Sequence, residues 1–129
     1  MADATLSTRD DAQAFAAAWA EAWNRRDVEA VLAHFHGDVI FTSPTALAVV
    51  GSARVSGKQA LRDYWNTAMQ RITSLHFTVD RIAWDADSRE LAIVYRAAID
   101  GNARRVSENL TFDAAGRVTS AEVFHGVPT

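Results

Sequence analysis

An α+β domain, with helices first and a mostly antiparallel sheet after them, is the fold class that the sequence predicts. Apolar residues recur at intervals of three and four as far as residue 72, and at every second residue from position 75 onwards. Turn signals divide the second part into four apolar stretches. A chain of 129 residues suits one hydrophobic core, so residues 1–129 are expected to form a single domain.

The first helix is expected to begin at residues 7–8, where a serine and a threonine can cap free backbone amides, and to end near residues 24–26. Phe15, Trp19 and Trp23 share one face of this helix. Such an aromatic stripe needs a large apolar surface to cover it.

A second, shorter helix is predicted to follow Asp27, which can cap it. Its apolar positions continue to Phe35, and Gly37 is expected to end it. Residues 39–43 then alternate as a strand, and Pro44 ends that strand because proline cannot donate a ladder hydrogen bond.

Residues 45–56 are predicted to form a loop that is apolar enough to close over a ligand or to contact a partner. Ser56 is expected to cap a third helix over residues 57–69. Trp65 lies on the inner stripe of that helix and Tyr64 lies beside it, so two tryptophan-bearing helices are expected to face inwards.

The sheet is predicted to contain four further strands, with a bulge at residues 80–81 and a tight hairpin turn at residues 100–101. These strands cover residues 75–84, 91–99, 104–112 and 118–125. Helices packed on one face of a curved sheet leave a cone, and its open end would form a central pocket.

Composition excludes several classes of function. The net charge is −3, and Lys58 and 12 arginines are spread along the chain, so no nucleic-acid partner is expected. The chain has no cysteine and no spacing that gathers several histidines or acids on one face, so no metal and no other cofactor is expected. Residues 1–11 lack a signal-peptide core and no apolar run reaches membrane-spanning length, so a soluble, cytoplasmic protein is expected.

Glu108 is the most informative candidate for a functional residue. It shares one side of its predicted strand with Val106 and Leu110, so a carboxyl group lies on the apolar face. A buried carboxylate must be paired, hydrogen-bonded, protonated or hydrated. One interpretation is an ion pair with an arginine such as Arg96 or Arg105, or a solvated face. The other is a pocket carboxyl of raised pKa that contacts a ligand and acts in catalysis.

The candidate ligand contacts are aromatic, sulfur-containing or small polar residues on the inward faces of these elements. They are Trp19, Trp23, Phe41, Ser43, Tyr64, Trp65, Met69 and Tyr95. The apolar members would shape a site for an apolar or aromatic ligand. For Ser43 a role in the turn before proline, and for the two tyrosines a role in core packing, stay open as alternatives.

His125 is the second candidate for catalysis. It alternates with Ala121 and Val123 in the last predicted strand. An imidazole that titrates near neutral pH could pair with Glu108 as a dyad if both faced the same side of the sheet. A structural histidine is the alternative.

Three segments carry a resemblance to a known family. They are residues 18–27 (AWAEAWNRRD), residues 39–44 (VIFTSP) and residues 57–65 (GKQALRDYW). Together with the order of elements, they resemble the nuclear transport factor 2-like superfamily, in particular its SnoaL-like and ketosteroid isomerase-like branch. The resemblance implies a cystatin-like cone of three N-terminal helices on a curved sheet. It covers nearly the whole chain but does not settle the activity, because this superfamily hosts isomerases, cyclases, dehydratases, hydrolases and non-catalytic binders.

Compared with ketosteroid isomerase, the chain keeps little of the implied chemistry. Ser43 stands at the position of the general-base aspartate, and a hydroxyl without a base partner cannot abstract a carbon-bound proton. Trp19 and Trp65 stand at the positions of two tyrosines. Glu108 matches the carboxylic acid that is held neutral as an oxyanion donor. Steroid isomerisation of that type is therefore not expected.

The sequence thus predicts a pocket protein that binds an apolar, oxygenated small molecule. If it is an enzyme, the resemblance implies cofactor-independent isomerisation, cyclisation or dehydration. The alternative is a non-catalytic binding or assembly domain. A homodimer through the outer sheet face is expected from the resemblance, and Val94 and Ala98 on that face permit it.

Overall fold

The computed structural model describes residues 6–129, in which four α-helices and six strands are found. They are α1 (Arg9–Asn24), α2 (Val28–Leu32), β1 (Phe35–Thr42), α3 (Pro44–Val50), β2 (Arg54–Ser56), α4 (Lys58–Gln70), β3 (Leu75–Asp85), β4 (Glu90–Ile99), β5 (Asn102–Phe112) and β6 (Val118–Pro128). Residues 1–11 were expected to lack a signal-peptide core. The first five of them lie outside the described part of the chain. None of the helices within residues 6–129 has both the length and the apolarity of a membrane span.

The starts of α1 and α2 are as the sequence predicts. Thr8 caps α1, because its hydroxyl accepts from the Asp11 amide at 3.0 Å while the Asp11 carboxylate accepts from the Thr8 amide at 3.1 Å. The Asp27 carboxylate accepts from the Ala30 amide at 3.0 Å and caps α2. Both capping predictions are confirmed.

The predicted end of the second helix is wrong. α2 ends at Leu32, and both Phe35 and Gly37 belong to β1. Phe35 keeps the helical spacing from Leu32, but its backbone pairs with Val118 of β6. This long-range pairing, which no local pattern reveals, decides the conformation.

The predicted loop over residues 45–56 is also wrong, because it contains α3 and β2. The Ser43 hydroxyl accepts from the Thr45 amide at 3.2 Å, and Pro44 occupies the first turn of the helix. Gly51 ends α3 with a left-handed φ of 80°. The apolar run is therefore a helix between two recognisable end signals.

The third predicted helix is α4, and its cap differs from the prediction. Gly57 precedes α4 with a φ of 93° and makes no side-chain cap hydrogen bond. Ser56, the predicted cap, instead ends β2 and pairs with Ile40 of β1. Glycine is required here because other residues rarely adopt this φ.

The six strands form one sheet in the order β2-β1-β6-β5-β4-β3. β1 and β6 pair in parallel and all other neighbours are antiparallel. The register of β3 and β4 shifts between Val79 and Arg81, which confirms the predicted bulge. Asp100 and Gly101, with φ of 51° and 85°, form the predicted hairpin turn. The predicted α+β class is confirmed.

The core lies between the helices and one face of the sheet. α1 packs against β3, and α4 packs against β1. The most deeply buried large side chains are Val31, Leu32, Phe35, Val39, Leu61, Leu91, Ile93, Leu110 and Val118. They fill one end of the space between the two layers, and the other end is left open.

Candidate functional site

The open end contains a cavity of about 210 Å³ between the helices and the inner sheet face. Its walls are mostly aromatic and aliphatic and come from α1, β1, α3, α4, β3, β4, β5 and β6. They consist of Trp23, Phe41, Ser43, Thr45, Tyr64, Trp65, Ala68, Met69, Ile72, Leu75, Phe77, Tyr95, Ala97, Ile99, Val106, Glu108, Val123 and His125. The cavity therefore suits an apolar body with few polar contacts.

Glu108 lies in this wall and is only 5% exposed. Its alternation with Val106 and Leu110 along β5 turns all three towards the helices. No ion pair within residues 6–129 includes Glu108, and Arg105 pairs with Asp80 instead. The interpretations of Glu108 as an ion-pair partner or as part of a solvated face are therefore wrong.

Burial raises the pKa of Glu108 from 4.5 to about 7. The Tyr95 hydroxyl donates to Glu108 Oε1 at 3.3 Å, and this hydrogen bond acts in the opposite direction by favouring the carboxylate. Desolvation is the larger effect. Protonated and ionised forms of Glu108 are thus both populated near neutral pH, which is the condition for a group that gives and takes protons.

Two tyrosines share the cavity with this carboxyl group. Burial, the charge of Glu108 and the hydrogen bond to it raise the pKa of Tyr95 far above its ordinary value. Burial raises the pKa of Tyr64 to about 12, with the Ser43 hydroxyl acting the other way and the Glu108 charge adding to the rise. Both hydroxyls remain protonated at neutral pH and can donate hydrogen bonds.

Ser43 has two roles in the structure. It caps α3, and it is 3% exposed in the wall of the cavity. The two interpretations of Ser43, as a turn residue and as a residue of the pocket, are thus compatible. Its hydroxyl accepts from the Thr45 amide and keeps its O–H donor and a second acceptor site.

His125 faces the cavity from β6, on the same side of the sheet as Glu108. Within residues 6–129 no hydrogen bond joins the two side chains, so the dyad is not formed directly. His125 Nδ1 instead lies 3.2 Å from Arg104 Nη1. Because arginine only donates, Nδ1 must be the acceptor and Nε2 carries the proton. Burial, and then the charge of Arg104, lowers the pKa of His125, so the ring is neutral at pH 7.

Trp19 is the one predicted ligand contact that the structure does not bring to the cavity wall. It stacks on Phe77 at a centroid distance of 5.7 Å and meets Tyr95 edge to face at 5.0 Å. Both of these residues line the cavity, so Trp19 supports the wall from behind. Its Nε1 is buried and has no hydrogen-bond partner among the described residues.

The remaining predicted contacts, Trp23, Phe41, Ser43, Tyr64, Trp65, Met69 and Tyr95, all lie in the wall. Several other wall residues were missed. Ala97, Ile99 and Val106 alternate with Tyr95 or Glu108, so strand parity was a signal for them. Thr45 had no such signal, because its position depends on the missed helix α3. No cluster of three or more potential metal ligands occurs within residues 6–129.

Comparison with known proteins identifies the family and the fold. The SnoaL-like domain family matches residues 16–125. A SnoaL-like protein of unknown function from Burkholderia thailandensis is 32% identical, with a TM-score of 0.84 over 94% of this chain and 98% of that chain. No curated protein matches the sequence significantly.

Two more distant structures share the fold. A protein of unknown function with a cystatin-like fold from Methylobium petroleophilum is 22% identical, with a TM-score of 0.76 over 97% of this chain and 81% of that chain. SalBIII, an epoxide hydrolase/cyclase-like enzyme in pyran ring formation in the polyether salinomycin, is 17% identical, with a TM-score of 0.73 over 95% of each chain. Further neighbours come from the nuclear transport factor 2-like and ketosteroid isomerase-like groups. The resemblance seen in the sequence is confirmed, and the chain belongs to the SnoaL-like domain family.

Proposed function

We propose that the protein binds a small, mostly apolar molecule that carries an oxygen atom, and that Glu108 exchanges a proton with it. The reaction class is a cofactor-independent isomerisation, cyclisation or dehydration. One observation carries this proposal: a carboxyl group with a pKa of about 7 is buried in a wall of aromatic and aliphatic side chains. Such a group is expensive to bury and is poised for proton transfer.

The surrounding hydroxyls support proton transfer over simple binding. Tyr95 lies 3.3 Å from the Glu108 carboxyl group, and Tyr64 lines the same cavity. A ligand oxygen beside Glu108 would receive a proton from the neutral carboxyl group, while a tyrosine hydroxyl stabilises negative charge on a neighbouring oxygen. Protonation of a hydroxyl or ring oxygen promotes its departure or the closure of a new ring.

His125 is proposed as a hydrogen-bond donor to the ligand. Its Nδ1 is engaged by Arg104, so the nitrogen left for a ligand carries a proton and cannot accept one. Glu108 is then the group that both gives and recovers the proton. SalBIII, which is named as epoxide hydrolase/cyclase-like, shares this fold at 17% identity, so the fold is compatible with a cyclisation.

Deuterium exchange at the carbon next to the carbonyl group of 2-tetralone tests the proposal without knowledge of the natural ligand. The ionised form of Glu108 would take the carbon-bound proton and return a deuteron from the solvent, while a tyrosine hydroxyl stabilises the enolate oxygen. Proton NMR in D2O follows the exchange with the wild type, Glu108→Gln and Glu108→Asp. The wild type should exceed Glu108→Gln by about 100-fold, a typical contribution of one acid–base group. Glu108→Asp should be intermediate, because it keeps the proton but shortens the side chain.

The alternative function is non-catalytic binding. It is favoured by Ser43 at the position of the general base and by the engagement of His125 Nδ1. In that case 2-tetralone binds to the wild type and to Glu108→Gln, and neither protein accelerates its deuterium exchange above the rate in buffer. This outcome would reject catalysis and retain the pocket.

A homodimer through the outer sheet face stays part of the proposal. Val94 and Ala98 are partly exposed on that face of β4, and Phe124 of β6 is 48% exposed. Sedimentation velocity should give a dimer for the wild type and a monomer for Phe124→Asp, because a carboxylate there would be buried without a partner. A monomeric wild type would contradict it. The cytoplasmic location and the lack of a nucleic-acid partner also stay predictions.

A further inference from the structure

A second depression, the mouth, adjoins the cavity at the edge where β4 turns into β5. This mouth has a volume of about 520 Å³ and shares Ala97, Val106 and His125 with the cavity. Gly101 and Asn102 of the hairpin form part of its rim. Because the same residues line both spaces, a ligand longer than the cavity would extend into the mouth.

Arg104 is the charged side chain that lines this mouth. None of the ion pairs within residues 6–129 includes it. Asp100 and Glu108 are equally near to Arg104 along the chain, and neither lines the mouth. The Asp100 carboxylate accepts from the Thr73 and Ser74 amides at 2.7 and 2.8 Å. The positive charge of Arg104 is therefore not neutralised by an acidic side chain of the described part.

The guanidinium group is nonetheless held in place. Its Nη1 lies 3.2 Å from Nδ1 of the neutral His125 ring, which occupies one donor and leaves the others. A positioned guanidinium loses less conformational entropy on binding an anion than a freely rotating one. A planar carboxylate can accept two of its hydrogen bonds at once.

The distance from Arg104 to Glu108 limits the shape of a ligand that reaches both. The two residues lie on the same face of β5, with Val106 between them. At roughly 3.3 Å per residue, their backbone positions are about 13 Å apart. This span separates a negative charge at the mouth from the Glu108 carboxyl group, so their mutual repulsion is weak.

We infer that Arg104 binds a carboxylate at the mouth of the cavity, and that the ligands are mostly apolar acids with an oxygen at the opposite end for Glu108. This inference rests on the proposed function of the cavity. His125 positions Arg104 and donates through Nε2 to the ligand. The site thereby selects acids over neutral molecules of the same shape.

Two probes of matched shape test this inference. 6-Hydroxy-2-naphthoate carries a carboxylate and a hydroxyl at opposite ends, and 2-naphthol carries the hydroxyl alone. Isothermal titration calorimetry should show the acid binding about five- to tenfold more tightly to the wild type, the size expected of a partly exposed charge pair. Arg104→Gln should bring the ratio of the two affinities close to one, whatever the variant does to the affinity for 2-naphthol.

Arg96→Gln is the matched control, because Arg96 is exposed on the opposite face of β4. It should change neither affinity, and thermal unfolding should be the same for both variants. An acid preference that survives Arg104→Gln would overturn the inference while leaving the proposed binding function intact. Failure of both probes to bind to the wild type at millimolar concentration would overturn the binding function and the inference together.

Discussion

The two ends of the space between helices and sheet are built from the same strands but differ in content. At the closed end Leu91 of β4 pairs with Leu110 of β5, and both are fully buried. One step along the same ladder, Ile93 pairs with Glu108, and beyond it Tyr95 pairs with Val106 at the cavity. Leu110 in the packed core and Glu108 in the candidate site are thus only two residues apart on β5. Stability and ligand binding are therefore separable by position on β5.

Leu110→Ala should produce the largest loss of stability. It removes a fully buried side chain from the closed end, where neighbouring residues are already packed, and leaves a void. The free energy of unfolding should fall by about 2–5 kcal/mol, measured by urea denaturation. The affinity for 2-naphthol should stay within a factor of two or so of the wild type, about 0.4 kcal/mol. A large loss of affinity at preserved folding would contradict the separation of the two ends.

Glu108→Gln should have the opposite effect on stability, and only at higher pH. The pKa of Glu108 rises from 4.5 in the unfolded chain to about 7 in the folded protein, so the folded state binds more protons between these values. The contribution of Glu108 to the free energy of unfolding is complete below pH 4.5. It is lost as the pH rises through 7, by about 3 kcal/mol in total. The variant should therefore be more stable than the wild type at pH 8 and similar to it at pH 4.5. A difference that does not depend on pH would contradict the raised pKa.

Asn24→Ala should have an intermediate effect at the open end. The Asn24 side chain donates to the Phe77 carbonyl at 3.0 Å and accepts from the Phe77 amide at 2.7 Å, so it joins α1 to the edge strand β3. Loss of both hydrogen bonds should cost about 2 kcal/mol in thermal unfolding. Asn24→Asp is the matched control, because it keeps the acceptor and loses the donor. Since Phe77 lines the cavity, 2-naphthol should also bind more weakly to Asn24→Ala.

Tyr95→Phe should have the smallest effect, on the site alone. The hydroxyl favours the ionised form of Glu108, so its removal should raise the pKa of Glu108 above about 7. The side-chain carboxyl signal in 13C NMR reports this pKa directly, and Glu108→Gln identifies the signal. The free energy of unfolding should change by less than about 1 kcal/mol at pH 5, where the carboxyl group is neutral. An unchanged or lowered pKa would contradict the hydrogen bond.

The sequence predicted the elements whose signals are local. Thr8 and Asp27 as caps, the bulge at residues 80–81 and the hairpin at residues 100–101 each depend on a few neighbouring residues. Strand parity placed Glu108 on the inner face, as the structure has it. These predictions succeed because the local pattern and the final fold agree.

The errors concern features that depend on distant contacts. The backbone at Phe35 follows its pairing with Val118, and the short β2 exists through its pairing with β1. The partner of Glu108 could not be named either, because Tyr95 reaches it across the β4–β5 ladder. The sequence predicted no role for Arg104. Its place at the cavity mouth depends on the pairing of β5 with β6, which brings His125 next to it.

The parallel pairing of β1 with β6 links ligand binding to the completion of the sheet. These strands lie near opposite ends of the chain, and β6 is the link between β1 and the β3–β5 part of the sheet. The wall of the cavity draws Phe41 from β1 and Val123 from β6, so the docking of β6 also completes the pocket. A ligand that contacts both strands binds to chains in which this connection has formed, and it stabilises them by mass action. Ligand binding therefore indicates that β1 and β6 are both in place, because a chain without this pairing lacks part of the cavity wall.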